Sequence, residues 1–192
     1  TLSADFIYNN SQIQNNIIHG AFLNKIKNIL FLGSSCIYPR NCNQPIREEY
    51  LLSGNLEKTN EPYAIAKILG LKMCESYNKQ YNTNYISVMP TNLYGPGDTY
   101  HPELSHVIPS IILKTHKAKS ENTDLVLWGT GKPKREFLFV DDFTEACVFL
   151  MEKKYDGSFL NIGTGQDISI RDLATKIVNI VGFKSKIIFD NS

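Results

Sequence analysis

The chain has 192 residues, 42% of them hydrophobic, and its 20 Lys and Arg against 19 Asp and Glu leave a net charge of +1. That length permits one sizeable core and falls between one and two domains. The charge balance argues against nucleic-acid binding through a broad basic face and against a polybasic membrane anchor.

No apolar run approaches the ~18 residues of a membrane span, and no charged segment followed by an apolar one marks a secretory signal. The four cysteines, Cys36, Cys42, Cys74 and Cys147, form no C-x-x-C pair of the kind that holds zinc. Reduced thiols in a cytoplasmic protein are therefore expected, with no metal site. The chain opens on Thr1 rather than Met and stops soon after the apolar run Ile187-Ile188-Phe189, so a piece of a longer protein is expected.

In chain order, apolar residues from Phe6 to Phe22 recur at helical spacing, which predicts a helix over 4–24. Ile29-Leu30-Phe31-Leu32 reads as a buried strand that runs into a Gly33-Ser34-Ser35 loop. Residues 39–60 are rich in Pro, Asn, Gly and charge and read as loop. Thr59-Asn60-Glu61-Pro62 signals a helix start, with a capping side chain just before Pro, and the helix runs to about Tyr81. Tyr85–Met89 is a strand and 90–109 is irregular, with Gly95-Pro96-Gly97 as a turn. A helix over 108–118, a strand over 124–128 and a strand over 137–140 follow. Asp141-Asp142 are expected to cap a helix to about Glu152, and Phe159–Ile162 is a strand. Ser169 caps a helix over 170–181. Strands alternating with helices predict an α/β fold with a mostly parallel sheet covered on both faces.

Tyr63 and Lys67 stand at i and i+4 near a helix start and share one face. A Lys cation beside a phenol lowers the phenol's pKa from ~10 and prepares it to exchange a proton with a carbonyl or alkoxide. Taken alone, Y-x-x-x-K is more often an ordinary surface pair. Ser34 changes the weighing, because it lies on the loop after a strand, where ligands bind in open α/β sheets, and its hydroxyl can bond a substrate carbonyl. Cys36 on the same loop, taken alone, reads as a small buried hydrophobe. Taken alone, His101 and His106 read as loop histidines, Trp128 as core, and Arg135 with Lys132 and Lys134 as a solvated face.

Five segments recur in one order: Gly33-Ser34-Ser35-Cys36-Ile37-Tyr38-Pro39, Tyr63-Ala64-Ile65-Ala66-Lys67, Asn92-Leu93-Tyr94-Gly95-Pro96, Arg135 through Asp142, and Asn161-Ile162-Gly163-Thr164-Gly165. With them the chain resembles the extended short-chain dehydrogenase/reductase family over nearly all its length. The segment Ser34–Pro39, Asn60–Lys67 and His106-Val107-Ile108-Pro109 resemble those members that epimerise and reduce a 4-keto GDP-sugar.

The resemblance implies a Rossmann-like doubly wound parallel sheet with a smaller α/β substrate lobe, incomplete here. Residues 1–96 would be the later part of the NADP-binding domain, 97–137 substrate lobe, 138–166 a return to the sheet, and 167–192 substrate lobe again. It implies that Ser34, Tyr63 and Lys67 form the reductase triad, and that Cys36 and His106 are the base and acid of two epimerisations. Lys114, Trp128 and Arg135 would hold a GDP-sugar, while Leu32, Gly33, Ser34, Ser35, Lys67, Pro90, Thr91, Asn92, Leu93 and His106 would contact NADP(H). A homodimer through the helices at 4–24 and 63–81 is implied as well. The Cys36 and His106 pair separates this reading from a hexose 4-epimerase or 4,6-dehydratase. A non-catalytic nucleotide-sugar-binding remnant is the other alternative, since the G-x-x-G-x-x-G turn of a dinucleotide fold does not occur in these residues.

Overall fold

The computed structural model describes residues 2–153, 155, 157 and 159–191. Its elements are, in order, α1 (Ser3–Leu23), β1 (Asn28–Leu32), α2 (Glu61–Tyr81), β2 (Asn84–Pro90), β3 (Asn92–Tyr94), α3 (Val107–Glu121), β4 (Leu125–Trp128), β5 (Lys134–Phe139), α4 (Val140–Lys153), β6 (Phe159–Ile162), β7 (Asp167–Ser169), α5 (Ile170–Val181) and β8 (Ile187–Asp190). They divide into two compact units: Thr1–Thr91 with Asp141–Gly163, and Asn92–Val140 with Thr164–Ser192.

The first unit is built on a three-stranded parallel sheet in the order β1-β2-β6. Leu32 lies beside Val88 and Pro90 beside Ile162, so the carboxyl ends of all three strands share one edge. The β1–α2–β2 segment is the helical crossover that parallel neighbours require. β2 carries Tyr85, Ile86, Val88 and Met89 fully buried, as expected of a strand covered on both faces. α1 lies along α2 and is fixed by Gln14, buried, whose amide donates to the Ala66 carbonyl at 2.6 Å. At the other end of the pair, the His19 ring bonds the Tyr77 hydroxyl at 2.7 Å within a cluster of Phe22, Tyr77, Tyr81 and Tyr85 rings.

The second unit carries a three-stranded sheet β3-β5-β7 and a separate parallel pair β4-β8. Its core joins Ile111 and Ala118 of α3 and Leu125 and Leu127 of β4 to Leu173, Ala174, Ile177 and Val178 of α5. Spacing of three and four residues along α5 places those four on one face. The helix starts on Ser169, whose hydroxyl accepts from the Asp172 N–H at 3.0 Å, and ends on Gly182 in the left-handed region. α2 and α3 end the same way, on Asn82 and Asn122.

Several local expectations are corrected. Asn60 precedes α2 but its side chain makes no capping bond; Pro62 in the first turn is what suits the start. Asp141 and Asp142 lie inside the first turn of α4 rather than capping it, where their charge still complements the helix dipole. The short strands β3 and β7 were not expected. Both are three residues long and are set by pairing with β5 rather than by their own pattern. The loop 39–60 contains one short helical turn at Glu48–Tyr50.

Candidate active site

The carboxyl end of β1 runs into a tight turn. The Gly33 N–H donates to the Val88 carbonyl at 2.8 Å, so the chain is still tied to β2 where the strand ends. Ser34 then caps one 3-10 turn, Ser35–Ile37, its hydroxyl accepting from the Cys36 N–H at 3.3 Å. Ile37 and Tyr38 anchor the turn in a core with Ile68, Leu71 and Met89. Between these fixed ends Cys36 is half-buried, a free thiol in a turn rather than a core residue. Cys74 is the contrasting case: it is fully buried on α2, and burial pushes its thiol up to about 11. The core reading suits Cys74 and not Cys36.

Tyr63, in the first turn of α2, comes to this same turn. Its ionisation is governed first by burial and next by the Cys36 thiol, both raising its pKa, while a hydrogen bond with the Ser34 side chain opposes them. Ser34, Cys36 and Tyr63 are thus neighbours in one place. Lys67 lies one helical turn on. Its ammonium donates to the Leu32 carbonyl at 2.9 Å and stands over the rings of Phe31 and Tyr63, 5.3 and 5.7 Å from their centroids. Burial lowers the Lys67 pKa.

The expectation that Lys67 lowers the Tyr63 pKa is not met. The ammonium is held against a strand carbonyl and ring faces rather than beside the phenol oxygen, and desolvation disfavours the phenolate. At neutral pH the phenol keeps its proton.

The remaining candidates belong to the second unit. His106 is the residue before α3, exposed, with a ring that makes no hydrogen bond among the described residues. His101 differs: its Nδ1 accepts from the N–H groups of Glu103 and Leu104 at 3.2 and 3.3 Å, which makes it a turn residue. Of the two histidines, His106 is the one with a free imidazole. Lys114 is half-buried on α3. Trp128 closes β4 with 81% of its surface exposed, because Leu125 and Leu127 take the inward positions of the strand. The core reading of Trp128 is therefore excluded. Arg135 is exposed on β5 and donates to the Lys134 carbonyl at 2.8 Å.

The proposed cofactor segments gather partly in the first unit. Leu32, Gly33, Ser34 and Ser35 follow β1, and Pro90 and Thr91 end β2 beside them. Asn92 and Leu93 belong to β3, with the Asn92 amide donating to the Glu136 carbonyl at 2.9 Å. Among the described residues the buried hydroxyl of Thr91 has no hydrogen-bond partner and Lys67 has no carboxylate partner. An orphaned hydroxyl and a carbonyl-held ammonium, both at the ligand-binding edge of a parallel sheet, fit a polar ligand such as a dinucleotide. Among the described residues no group of His, Cys, Asp and Glu is placed to hold a metal ion, and no helix is long and apolar enough to cross a membrane.

One group beside the site was not singled out by role: Tyr38, Glu48 and Asn161, joined by hydrogen bonds. The available signal was a lone Asn inside the apolar strand Phe159-Leu160-Asn161-Ile162, a polar residue where the pattern asks for none.

Comparison with known proteins gives a consistent picture. Residues 1–163 match the NAD dependent epimerase/dehydratase family. The chain is 52% identical over 202 residues to GDP-L-fucose synthase of Escherichia coli (strain K12), covering 100% of this chain and 63% of that protein. Among solved structures it is similar to a GDP-D-glycero-L-gluco-heptose synthase from Campylobacter jejuni determined in the presence of NADPH (TM-score 0.93, 35% identity, 100% of this chain and 68% of that one). A GDP-L-fucose synthetase from Naegleria fowleri bound to NADP is similar too (TM-score 0.92, 29% identity, 100% of this chain and 59% of that one). The chain spans about three fifths of the length of the curated relatives it matches.

Proposed function

The chain belongs to the NAD dependent epimerase/dehydratase family, and from that premise we propose that it carries the catalytic centre of an NADPH-dependent enzyme that epimerises GDP-4-keto-6-deoxy-D-mannose at C3 and C5 and reduces it at C4 to GDP-L-fucose. The observation that carries this reading is the thiol of Cys36 beside Ser34 and Tyr63. The triad Ser34, Tyr63 and Lys67 serves any reductase of the family; a thiol base at the same turn, paired with an acid, is what inversion at C3 and C5 adds to it.

The chemistry balances in two stages. A C4 ketone acidifies the hydrogens at C3 and C5. Cys36, as thiolate, takes one proton and leaves an enolate on the sugar, and His106 returns a proton to the other face of that carbon. Exchange of protons with water restores the Cys36 thiolate and the protonated His106, and repetition at the second carbon then inverts both centres with no net change of charge. Bound NADPH supplies the hydride that reaches C4 in the final stage. The Ser34 hydroxyl holds the C4 oxygen, and Tyr63 gives it the proton that completes the alcohol. The raised pKa of Tyr63 serves this direction, since a reductase needs its general acid protonated at neutral pH.

Lys67, the carboxyl ends of β1 and β2 with Thr91, and residues 90–93 would hold NADP(H), in keeping with the NADP and NADPH named for the similar structures. In this reading the first unit is the later part of the cofactor domain and the second is substrate lobe, where Lys114, Trp128 and Arg135 receive the GDP-sugar. Phe6, Ile13 and Ile17 on α1 with Ile65 and Leu69 on α2 are exposed apolar residues at helical spacing. They support a homodimer through these helices, and light scattering of the full-length protein at micromolar concentration should give twice the chain mass. The site of action is the cytoplasm.

Full-length protein with NADPH and GDP-4-keto-6-deoxy-D-mannose tests the function. GDP-L-fucose, formed with one NADPH consumed per product, is expected. A 6-deoxy product that keeps its starting configuration at C3 and C5, or no NADPH consumption, would overturn the reading.

A further inference from the structure

Asn161 uses three polar groups on the segment that follows Cys36. Its backbone N–H donates to Glu48 Oε1 at 2.8 Å, its Nδ2 donates to the Ile46 carbonyl at 3.2 Å, and its Oδ1 accepts from the Tyr38 hydroxyl at 2.5 Å. The residue lies on β6 beside Met89 of β2, so these bonds start from the frame of the sheet. Tyr38 is 4% exposed and its ring fills the core with Ile37, Ile68, Leu71 and Met89. Burial drives its pKa upward, which keeps the hydroxyl a donor at neutral pH.

The consequence for the turn is geometric. Residues 38–50 contain one short helical turn and otherwise no regular structure, yet Asn161 ties them at Tyr38, Ile46 and Glu48. Cys36 lies two residues from Tyr38 on one side and two from Ser34 on the other. Ser34 follows Gly33, which is bonded to β2, and so is fixed from the strand. Cys36 depends on the far anchor as well. A loop residue held from both sides has one position; released on one side, it has many.

We propose that Asn161 and Tyr38 are positioning residues that hold the Cys36 thiol in place, and that they serve the epimerising stage more than the reducing one. The second clause rests on the reading of Cys36 as the base. Displacement of a reacting group by about 1 Å costs on the order of 100-fold in rate, whereas Ser34, Tyr63 and Lys67 have their own anchors on β1 and α2.

The test uses the full-length protein with Tyr38→Phe and Asn161→Ala. Tyr38→Phe keeps the ring in the core and removes only the hydroxyl, so it retains the fold if Asn161→Ala does not. Iodoacetamide labelling of Cys36, read on its own peptide by mass spectrometry, should speed up about fivefold, the change that loss of one net hydrogen bond gives to a local opening. Solvent deuterium incorporation at C3 and C5 should fall roughly tenfold or more. Oxidation of GDP-L-fucose by NADP+, which needs only the hydride step, should change less than about threefold. Glu48→Gln keeps an acceptor for the Asn161 N–H and should stay near the parent in all three. Unchanged Cys36 labelling would overturn the positioning role. Equal losses in both stages would overturn the selectivity for epimerisation. If Cys36→Ser leaves deuterium incorporation intact, the base assignment fails instead, and labelling alone still decides whether Asn161 and Tyr38 fix the thiol.

Discussion

The two units present their candidate groups in opposite ways. In the first, Ser34, Cys36, Tyr63 and Lys67 are all partly buried, on a turn and a helix start tied by backbone and side-chain bonds to β1, β2 and β6. In the second, His106, Trp128 and Arg135 are exposed, and what is fixed is the backbone beneath them. The turn after Trp128 shows this. Gly131 has φ +72° and abuts the Phe189 ring, Arg171 stands 4.2 Å from that ring's centroid, and the Arg171 guanidinium donates to the Thr130 carbonyl at 3.1 Å. Of the groups proposed to move protons, Cys36 and Tyr63 are held by partial burial, which fixes their distance, whereas His106 is exposed. Groups that grip a ligand can wait in water, provided that their backbone stands still.

The largest expected effect lies in the first unit. Tyr63→Phe in the full-length enzyme should reduce NADPH oxidation by about 100- to 10,000-fold, the usual weight of a general acid, with substrate affinity near normal. Near-normal turnover would remove Tyr63 from the chemistry and, with it, the contrast between the units.

The pH dependence sharpens the same point. A raised pKa means that Tyr63 can donate its proton throughout the neutral range and loses that ability only as pH rises through the raised value. The reducing step should therefore show no loss from tyrosine ionisation below ~10, the ordinary tyrosine value. A rate-limiting ionisation assigned to Tyr63 near neutrality would mean that Lys67 governs the phenol after all.

In the second unit the test is of the scaffold. Gly131→Ala combines a left-handed φ with a Cβ that would meet the Phe189 ring at 2.5 Å. It should cost at least about 2 kcal/mol, read as a lowered midpoint in denaturant, and should weaken GDP-sugar binding with little effect on Cys36 labelling. Faster Cys36 labelling in this variant would show that the units do not keep their tasks apart. A smaller loss, about 1 kcal/mol, is expected for Ser169→Ala, which removes the N-cap of α5; an unchanged midpoint would show the cap to be redundant.

Much of this was legible in the residues themselves. The β1 and β2 runs, α2 with Tyr63 and Lys67 one turn apart, and the Ser169 cap follow from local pattern, because each depends on residues within a few positions. The sign of the Tyr63 shift was not legible. It is set first by burial, while the Lys67 ammonium is held by a carbonyl 35 residues away. Nor was the free His106 ring distinguishable from that of His101 until the turn around His101 was seen to occupy its Nδ1. Trp128 turned outward because its strand alternates, and with four residues that alternation is too short to read in advance. Asn161 is the clearest case. Its bonds reach across 113 to 123 positions, a distance that no local pattern records.

In the proposed reaction, the thiol at this turn makes the site an epimerase as well as a reductase. Cys36→Ser keeps the side chain's size and replaces the thiol, ordinarily of pKa ~8.5, by a hydroxyl that scarcely ionises at neutral pH. The measurement is NMR of the product that full-length Cys36→Ser forms from GDP-4-keto-6-deoxy-D-mannose and NADPH in D2O. No deuterium is expected at C3 or C5, with some reduction to an unepimerised 6-deoxy sugar still proceeding through Ser34, Tyr63 and Lys67. Normal deuterium at both carbons would contradict it.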